Sequence, residues 1–193
     1  ERVLNEEEFD LMDGILHNNE GVDLMPANIE LAGVETALIG ILSSETLLKE
    51  YIELVEFRYD YVIIDCSPNL GQLTLNALTC ADEVIIPVQA AYLPVKGLEQ
   101  LLKTISRVRK KMNQKLEIKG ILITMVDYRT NYAKEIREVL YSVYGQNIHI
   151  FERGIPMSVR AAEASAEGVS IFVHDPSGKV ADAYEELTKE VLA

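Results

Sequence analysis

Apolar positions along the chain alternate between short β-branched runs and longer stripes at helical spacing. Leu4, Phe9, Leu11, Met12, Ile15 and Leu16 recur at roughly helical intervals across residues 2–16. Val22–Met25 reads as a short strand ending at Pro26, and Asn28 is placed to cap a helix through about Leu42. Ser43 or Ser44 caps the next helix, to about Glu56. Tyr61-Val-Ile-Ile-Asp65 is a β-branched run ending in an acid, which predicts a buried strand. Leu70–Cys80 is helix-like, and Glu83–Pro87 predicts a second buried strand that Pro87 stops. Pro94 begins a long helix with Val95, Leu98, Leu101, Leu102, Ile105 and Val108 along one face. Ile118–Met125 is a third strand, and Tyr132–Tyr144 a helix that Gly145 ends. Ile148–Phe151 predicts a short strand, Ser158–Ala166 a short helix, Val169–Val173 an edge strand, and Gly178–Leu192 the closing helix.

Strands alternating with helices in this way form βαβ units, hence an α/β fold with a predominantly parallel sheet and helices on both faces. With 193 residues and no linker, repeat or low-complexity stretch, the chain is expected to be a single domain. No apolar run reaches the ~20 residues that span a bilayer. Cys66 and Cys80 fall in apolar segments, so no disulfide framework is indicated and a cytoplasmic setting is expected.

Charge changes the picture in one respect. The formal net charge of −13 argues against a surface coated in positive charge for nucleic acid. A local cluster remains: Lys103, Arg107, Arg109, Lys110, Lys111, Lys115 and Lys119, with Arg129, Arg137, Arg153 and Arg160 further along. On these residues alone the cluster reads as a solvated helix face. His17, His149 and His174 are scattered, with no Cys/His/Asp grouping at metal-ligand spacing. Cys66 has no obvious base, so it reads as a small buried hydrophobe.

Ligands of an open parallel sheet bind beyond the carboxyl ends of its strands. Three such ends carry polar groups: Asp65-Cys-Ser-Pro68, Pro87-Val-Gln89 and Thr124-Met-Val-Asp127. Asp65 is the sharpest, because an unpaired carboxylate on a buried strand is costly. It either caps the helix beginning near Leu70 or holds a Mg²⁺-bound water beside a nucleotide.

The longer string carries a family resemblance. Tyr59-Asp-Tyr-Val-Ile-Ile-Asp-Cys-Ser-Pro-Asn-Leu-Gly71, Leu73-Thr-Leu-Asn-Ala-Leu78 and Val84-Ile-Ile-Pro-Val-Gln89 closely resemble the ParA/Soj family of DNA-partition ATPases, within the MinD/ParA superfamily. Gly120–Thr130, Ile155–Ala164, Ala181–Leu192 and, upstream, Leu24–Glu35 resemble further blocks of that family in the same order. The resemblance implies a P-loop NTPase-like fold, ATP and Mg²⁺ as cofactors, homodimerisation, non-specific DNA binding and a ParB-like centromere-binding partner. It further implies a cytoplasmic, nucleoid-associated protein of plasmid or chromosome segregation. Asp65 matches the Walker B acid, acting on the metal through water, and the Ser67–Gly71 loop, with Pro68, matches the switch that senses the γ-phosphate. Met125, Asp127, Pro156 and Met157 match positions near the adenine. Arg129 and Arg160 match arginines that contact the DNA backbone. An Arg often succeeds the family's Ile-Pro pair; Met157 stands there, which is expected to weaken DNA binding.

A departure accompanies the match. No G-x-x-x-x-G-K-[ST] phosphate cradle occurs, and Gly178-Lys179 is succeeded by Val180. Nor is the family's Asp-x-Asp-Pro strand end present. Both belong to the roughly 60 to 80 residues that a ParA-like chain carries earlier, judged by the length of a βαβ unit. The chain is therefore expected to be a piece lacking the Walker A strand, inactive alone, binding no nucleotide tightly, and re-pairing its exposed strand edges internally or in a dimer. Two other readings stay open: a P-loop-less binding or regulatory module, and a MinD-like positioning ATPase. The second is disfavoured, because Asp182, Glu185, Glu186 and Glu190 replace the basic face of a membrane-docking helix, and no membrane partner is expected.

Overall fold

The computed structural model describes residues 10–90 and 92–193. The chain forms two compact units. The first comprises residues up to Asp82 together with Thr104–Leu116, and the second Glu83–Lys103 together with Glu117–Ala193.

In the first unit the expected opening helix lies partly outside the described residues. Its described remainder is a turn, in which the Asp10 carboxylate accepts from the Met12 N–H at 2.9 Å and Asp13 N–H donates to the Asp10 carbonyl at 2.9 Å. The Asp10 side chain offers the backbone a local bond that competes with helix propagation. Strands β1 (Leu16–His17) and β2 (Asp23–Leu24) then pair antiparallel. Helix α1 (Leu31–Ala37) is shorter than expected, because Asn28 spends its side chain on a turn, accepting from Glu30 N–H at 2.9 Å, rather than on a cap. Ser43 and Ser44 likewise do not cap by side chain: Ser43 takes φ 58°, a 3-10 turn spans Ser44–Thr46, and α2 runs Leu47–Val55.

Helix α3 (Gln72–Cys80) forms where the apolar spacing placed it. Asn76 is buried on it and staples the unit. Its side-chain oxygen accepts from Leu48 N–H at 3.1 Å, and its amide donates to the carbonyls of Ser44 at 2.8 Å and Gln72 at 3.0 Å. At the other end of α3, Asn113 donates to the carbonyls of Leu78 at 3.1 Å and Ala81 at 2.7 Å, satisfying groups the helix terminus leaves open.

Tyr61–Asp65 differs most from expectation. It is an irregular segment rather than a buried strand, with Tyr61 71% and Ile63 92% exposed. A strand exists only where a neighbouring backbone takes its N–H and C=O groups, and among the described residues none pairs with this run.

The second unit holds the parallel ladder. Strand β3 (Glu83–Gln89) pairs with β4 (Glu117–Thr124) from Glu83↔Glu117 to Gln89↔Thr124. Pro87 does not stop β3, since it pairs opposite Leu122 on a strand whose other edge carries no ladder among the described residues. Nor is β3 fully buried: Ile86 and Val88 point inward while Ile85 and Pro87 are exposed. β4 is bridged on its second edge, parallel, through Ile121↔Ile150, and the chain just past it through Val126↔Pro156, so the strand expected at Ile148–Phe151 reduces to a single bridge. Leu122, Phe151, Ile155, Val180 and Ala183 form the core beneath it, with Ile171, Leu187 and Val191 packed alongside.

Helix α4 (Tyr92–Lys111) starts slightly before Pro94, which a first turn tolerates because its N–H would be unpaired there. It buries Leu98, Ile105 and Val108 as the spacing predicts, with Leu101 and Leu102 half-buried; the side chain of Val95 lies outside those described. Helices α5 (Asn131–Tyr144), α6 (Val159–Glu167) and α8 (Lys179–Leu192) occupy their expected places. Thr130 caps α5, accepting from Ala133 N–H, and Ser158 caps α6, accepting from Arg160 N–H. The edge strand expected at Val169–Val173 is instead the short helix α7 (Ile171–His174), started by Ser170, whose hydroxyl accepts from Val173 N–H. An N-cap serine outweighed the β-branched composition.

Replacing Asn76 by Ala should lower the unfolding free energy by about 2–3 kcal/mol, because it strands the Ser44 carbonyl and the Leu48 N–H away from water. Chemical denaturation of both proteins, with equal m-values, measures it.

Candidate functional site

The chemistry gathers where β4 ends. Beyond Thr124 the chain takes a left-handed step at Met125 (φ 53°), unusual for a residue with a side chain. Such a conformation costs about 1–3 kcal/mol and persists only where its surroundings enforce it. Here the backbone on either side is fixed: Ile155 N–H donates to Ile123 C=O at 2.9 Å, Val126 N–H to Ile155 C=O at 3.0 Å, and Met157 N–H to Val126 C=O at 3.1 Å. Val126 is thereby buried while Met125 and Met157 stand 49% and 59% exposed. The fold thus brings Met125 and Asp127 together with Pro156 and Met157 at one strand end.

Gly154 is what lets the second segment approach so closely. A Cβ there would fall 2.8 Å from the Ile123 carbonyl oxygen and 2.8 Å from Val126 Cγ2. The Tyr128 hydroxyl closes the contact by donating to the Gly154 carbonyl at 2.9 Å. Behind it, Glu190 accepts from Glu152 N–H through both oxygens at 3.2 Å and pairs with His149 Nε2 at 2.7 Å, while Arg137 donates to the Glu152 carbonyl at 2.7 Å. Sequence reading missed the roles of Tyr128, Gly154 and Glu190. Only the fold joins residues this far apart, and a lone Gly before Ile-Pro gives no local signal.

Asp127 and Arg129 meet directly. Arg129 donates Nε–H to Oδ1 and Nη2–H to Oδ2, each at 2.9 Å, and its backbone N–H adds a third bond to Oδ1 at 3.1 Å. This fork holds the Asp127 carboxyl down at about 2. It occupies only the Nε edge of the guanidinium, so the Nη1 edge stays open, on a side chain 89% exposed. Arg160 sits in the first turn of α6, tied to Glu163 Oε2 at 3.2 Å. The same oxygen faces His174 Nε2 at 3.4 Å, and Glu167 faces His174 Nδ1 at 3.0 Å. Both carboxylates raise the His174 pKa, Glu167 foremost, against a burial that lowers it.

Asp65 and Pro68 belong to the first unit. Asp65 is exposed and makes no hydrogen bond or ion pair among the described residues; it does not cap α3, whose N-cap Gly71 receives no side-chain bond. In the loop before α3, Thr74 donates to the Asn69 carbonyl and the Glu35 carboxylate lies against Gly71, leaving no room for a Cβ. Cys66 is exposed rather than buried, because the segment carrying it has no ladder partner. Desolvation and the Asp65 charge push its thiol up, and burial pushes Cys80 up to about 11, so neither is an activated nucleophile. Among the described residues no group of His, Cys, Asp and Glu is disposed to hold a metal by itself, and no helix is long and apolar enough to cross a membrane.

A parallel α/β unit with its polar groups at the strand ends is the architecture of P-loop-type nucleotide-binding proteins. Cobyrinic acid a,c-diamide synthase from Mycobacterium smegmatis superposes with a TM-score of 0.83 at 32% identity, over 99% of this chain and 70% of that one. The same enzyme is known with bound ADP and magnesium. The family described as AAA domain matches residues 2–118. The sporulation initiation inhibitor protein Soj of Bacillus subtilis is 44% identical over 174 residues, 90% of this chain and 68% of that protein. The chromosome-partitioning ATPase Soj of Treponema pallidum is 36% identical over 193 residues, 96% of this chain and 76% of that protein. The chain belongs to the ParA/Soj-type partition ATPases.

This geometry has two measurable outcomes. In Arg129→Ala the Asp127 carboxyl loses its fork but keeps the backbone N–H bond, so it should titrate well above about 2 while staying below the ordinary value of about 3.9, read by carbon-detected NMR. For His174 the folded pKa lies above the unfolded one, so its stabilisation is complete below the unfolded value and vanishes as pH rises through the folded value. The melting temperature should fall from about pH 6 to about pH 8 more steeply than in His174→Gln.

Proposed function

We propose that the chain supplies the adenine-side and DNA-side portion of a partition ATPase, as one α/β domain acting in plasmid or chromosome segregation. The observation that carries this reading is the end of β4. An exposed methionine pair flanks two backbone segments that Gly154 lets pack closely, and just beyond them Arg129 is braced on Asp127 with one edge free. Met125 and Met157 offer polarisable apolar surface to a planar base. Pro156 fixes the backbone between them, and Asp127 orients Arg129.

Asp65 fits the role of an acid acting on magnesium through water, since its carboxylate is exposed and uncommitted among the described residues. Bound Mg-ATP would bring a hydrated divalent cation, and the Asp65 carboxylate would accept a hydrogen bond from one of its water ligands. Pro68 stiffens the adjoining loop, where Glu35 and Asn69 crowd Gly71. Homodimerisation, a ParB-like partner and a nucleoid location belong to the same reading. The support is the ordered match to the Soj proteins together with this strand end.

Arg129 and Arg160 are proposed to bind DNA phosphates without reading sequence. Arg129→Ala and Arg160→Ala should each weaken binding to duplexes of unrelated sequence alike and lower the salt slope of log K by about 1. Salt-titrated fluorescence anisotropy measures this, and an unchanged slope in both variants would remove the assignment.

A further inference from the structure

The second half of α4 carries a charge pattern that the strand-end site does not use. Arg107, Lys110 and Lys111 stand at i, i+3 and i+4, hence on one helix face, roughly opposite Ile105 and Val108, which are 0% and 2% exposed. Arg109 flanks that face and Lys115 lies just past the helix, and all five are exposed. None has an acidic partner among the described residues. Elsewhere most cations are clasped, Lys49 by Glu53, Lys103 by Glu99, Lys119 by Glu83, Arg153 by Asp182, Arg160 by Glu163, and Lys189 by Glu185 and Glu186, and the exposed Lys134 and Lys179 stand singly. In a chain with 31 acids against 18 Lys and Arg, five adjacent unneutralised cations repel one another and stand out from the surrounding charge. Cations in a last turn do complement the helix dipole, but that effect fades within one turn and does not reach from Arg107 to Lys115.

We infer that this face of α4, Arg107, Lys110 and Lys111 with Arg109 and Lys115 beside it, is a second docking surface for the phosphate backbone of duplex DNA. The chemistry selects the partner. Besides these cations the exposed positions from Arg107 to Lys115 are Gln114 and Met112. Met112 is 43% exposed but lies on the Ile105 and Val108 side of the helix, its sulfur 3.9 Å from the Thr79 hydroxyl, so no apolar side chain stands among the cations on their own face. A protein partner would want an apolar or aromatic anchor at the centre of the patch, and a lipid surface would want apolar side chains to insert. A row of phosphates needs only the charge, and gains by releasing counterions. The surface rests on the partition-ATPase reading only for the choice of duplex over other polyanions. It adds a contact separate in sequence from Arg129 and Arg160.

The test compares the full chain, the triple variant Arg107→Ala/Lys110→Ala/Lys111→Ala and the double variant Arg129→Ala/Arg160→Ala, by anisotropy of a labelled mixed-sequence duplex across a salt series. The triple variant should lose about tenfold or more in affinity at low salt and lower the salt slope by about 2–3. The charge-keeping set Arg107→Lys/Lys110→Arg/Lys111→Arg should restore both. Should the alanine set lower the melting temperature, the glutamine set at the same positions carries the comparison. Loss in the triple variant with none in the double variant supports this surface and removes the two strand-side arginines from DNA binding. Unchanged affinity and slope in the triple variant overturn it, as does absence of duplex binding by the unsubstituted chain. So does a triple variant that keeps DNA but loses binding to phosphatidylserine vesicles, which would assign the face to a membrane.

Discussion

The second unit depends on β4 being hydrogen-bonded along both edges. On one side it runs parallel to β3 through Gln89↔Thr124, and on the other it meets Ile150, with the chain just past it meeting Pro156. A strand so flanked must be apolar on both faces, and Ile121, Leu122 and Ile123 are all buried. It must also release its ladder abruptly, and the left-handed Met125 does so. Past that release, Asp127 and Arg129 from one segment and Pro156 and Met157 from the other are held in register by the same bonds that close the ladder. The polar strand end is thus a by-product of a rigid apolar strand, which explains how an exposed site keeps a defined shape.

Much of this was legible in the residues. The helical stripe of α4, the run of β4, the helix starts near Thr130 and Ser158 and the closing helix are all set by local pattern, because each element's burial is decided within a few neighbouring positions. Two of the readings that failed, Tyr61–Asp65 and Pro87, did so for reasons outside such windows, and Val169–Val173 failed on a local cap that outweighs its composition. Tyr61–Asp65 has the composition of a buried strand, yet composition does not provide the neighbouring backbone that makes one. Pro87 reads as a stop, and becomes harmless on an edge. Val169–Val173 reads as a strand, and the Ser170 cap makes it a turn of helix. At the site, Asp127 and Arg129 were visible as separate matches, but their bidentate contact was not. Two residues apart, they meet only because the chain turns between them.

Charge is organised with similar economy. The chain is acidic overall, yet among the described residues several cations are clasped by a carboxylate, while those grouped on α4 stand open and Arg129 keeps one edge free. The proposed role would require holding DNA of any sequence and letting go. Contacts made by cations to phosphates give that behaviour, since they carry affinity without sequence and are tuned by ionic conditions. The acidic remainder limits how tightly the chain adheres when those few contacts are absent.

Asp127 fixes one edge of Arg129, and the proposed DNA contact uses the other edge to take a phosphate. The most direct measurement is the nitrogen-15 NMR signal of the Arg129 Nε–H, tracked as a duplex is added. In the free chain this proton should already be slow to exchange, through its bond to Asp127 Oδ1, and its resonance should shift with DNA at low salt and return at high salt. A fast-exchanging Nε–H in the free chain, or a signal that ignores DNA while the duplex is bound, would contradict it.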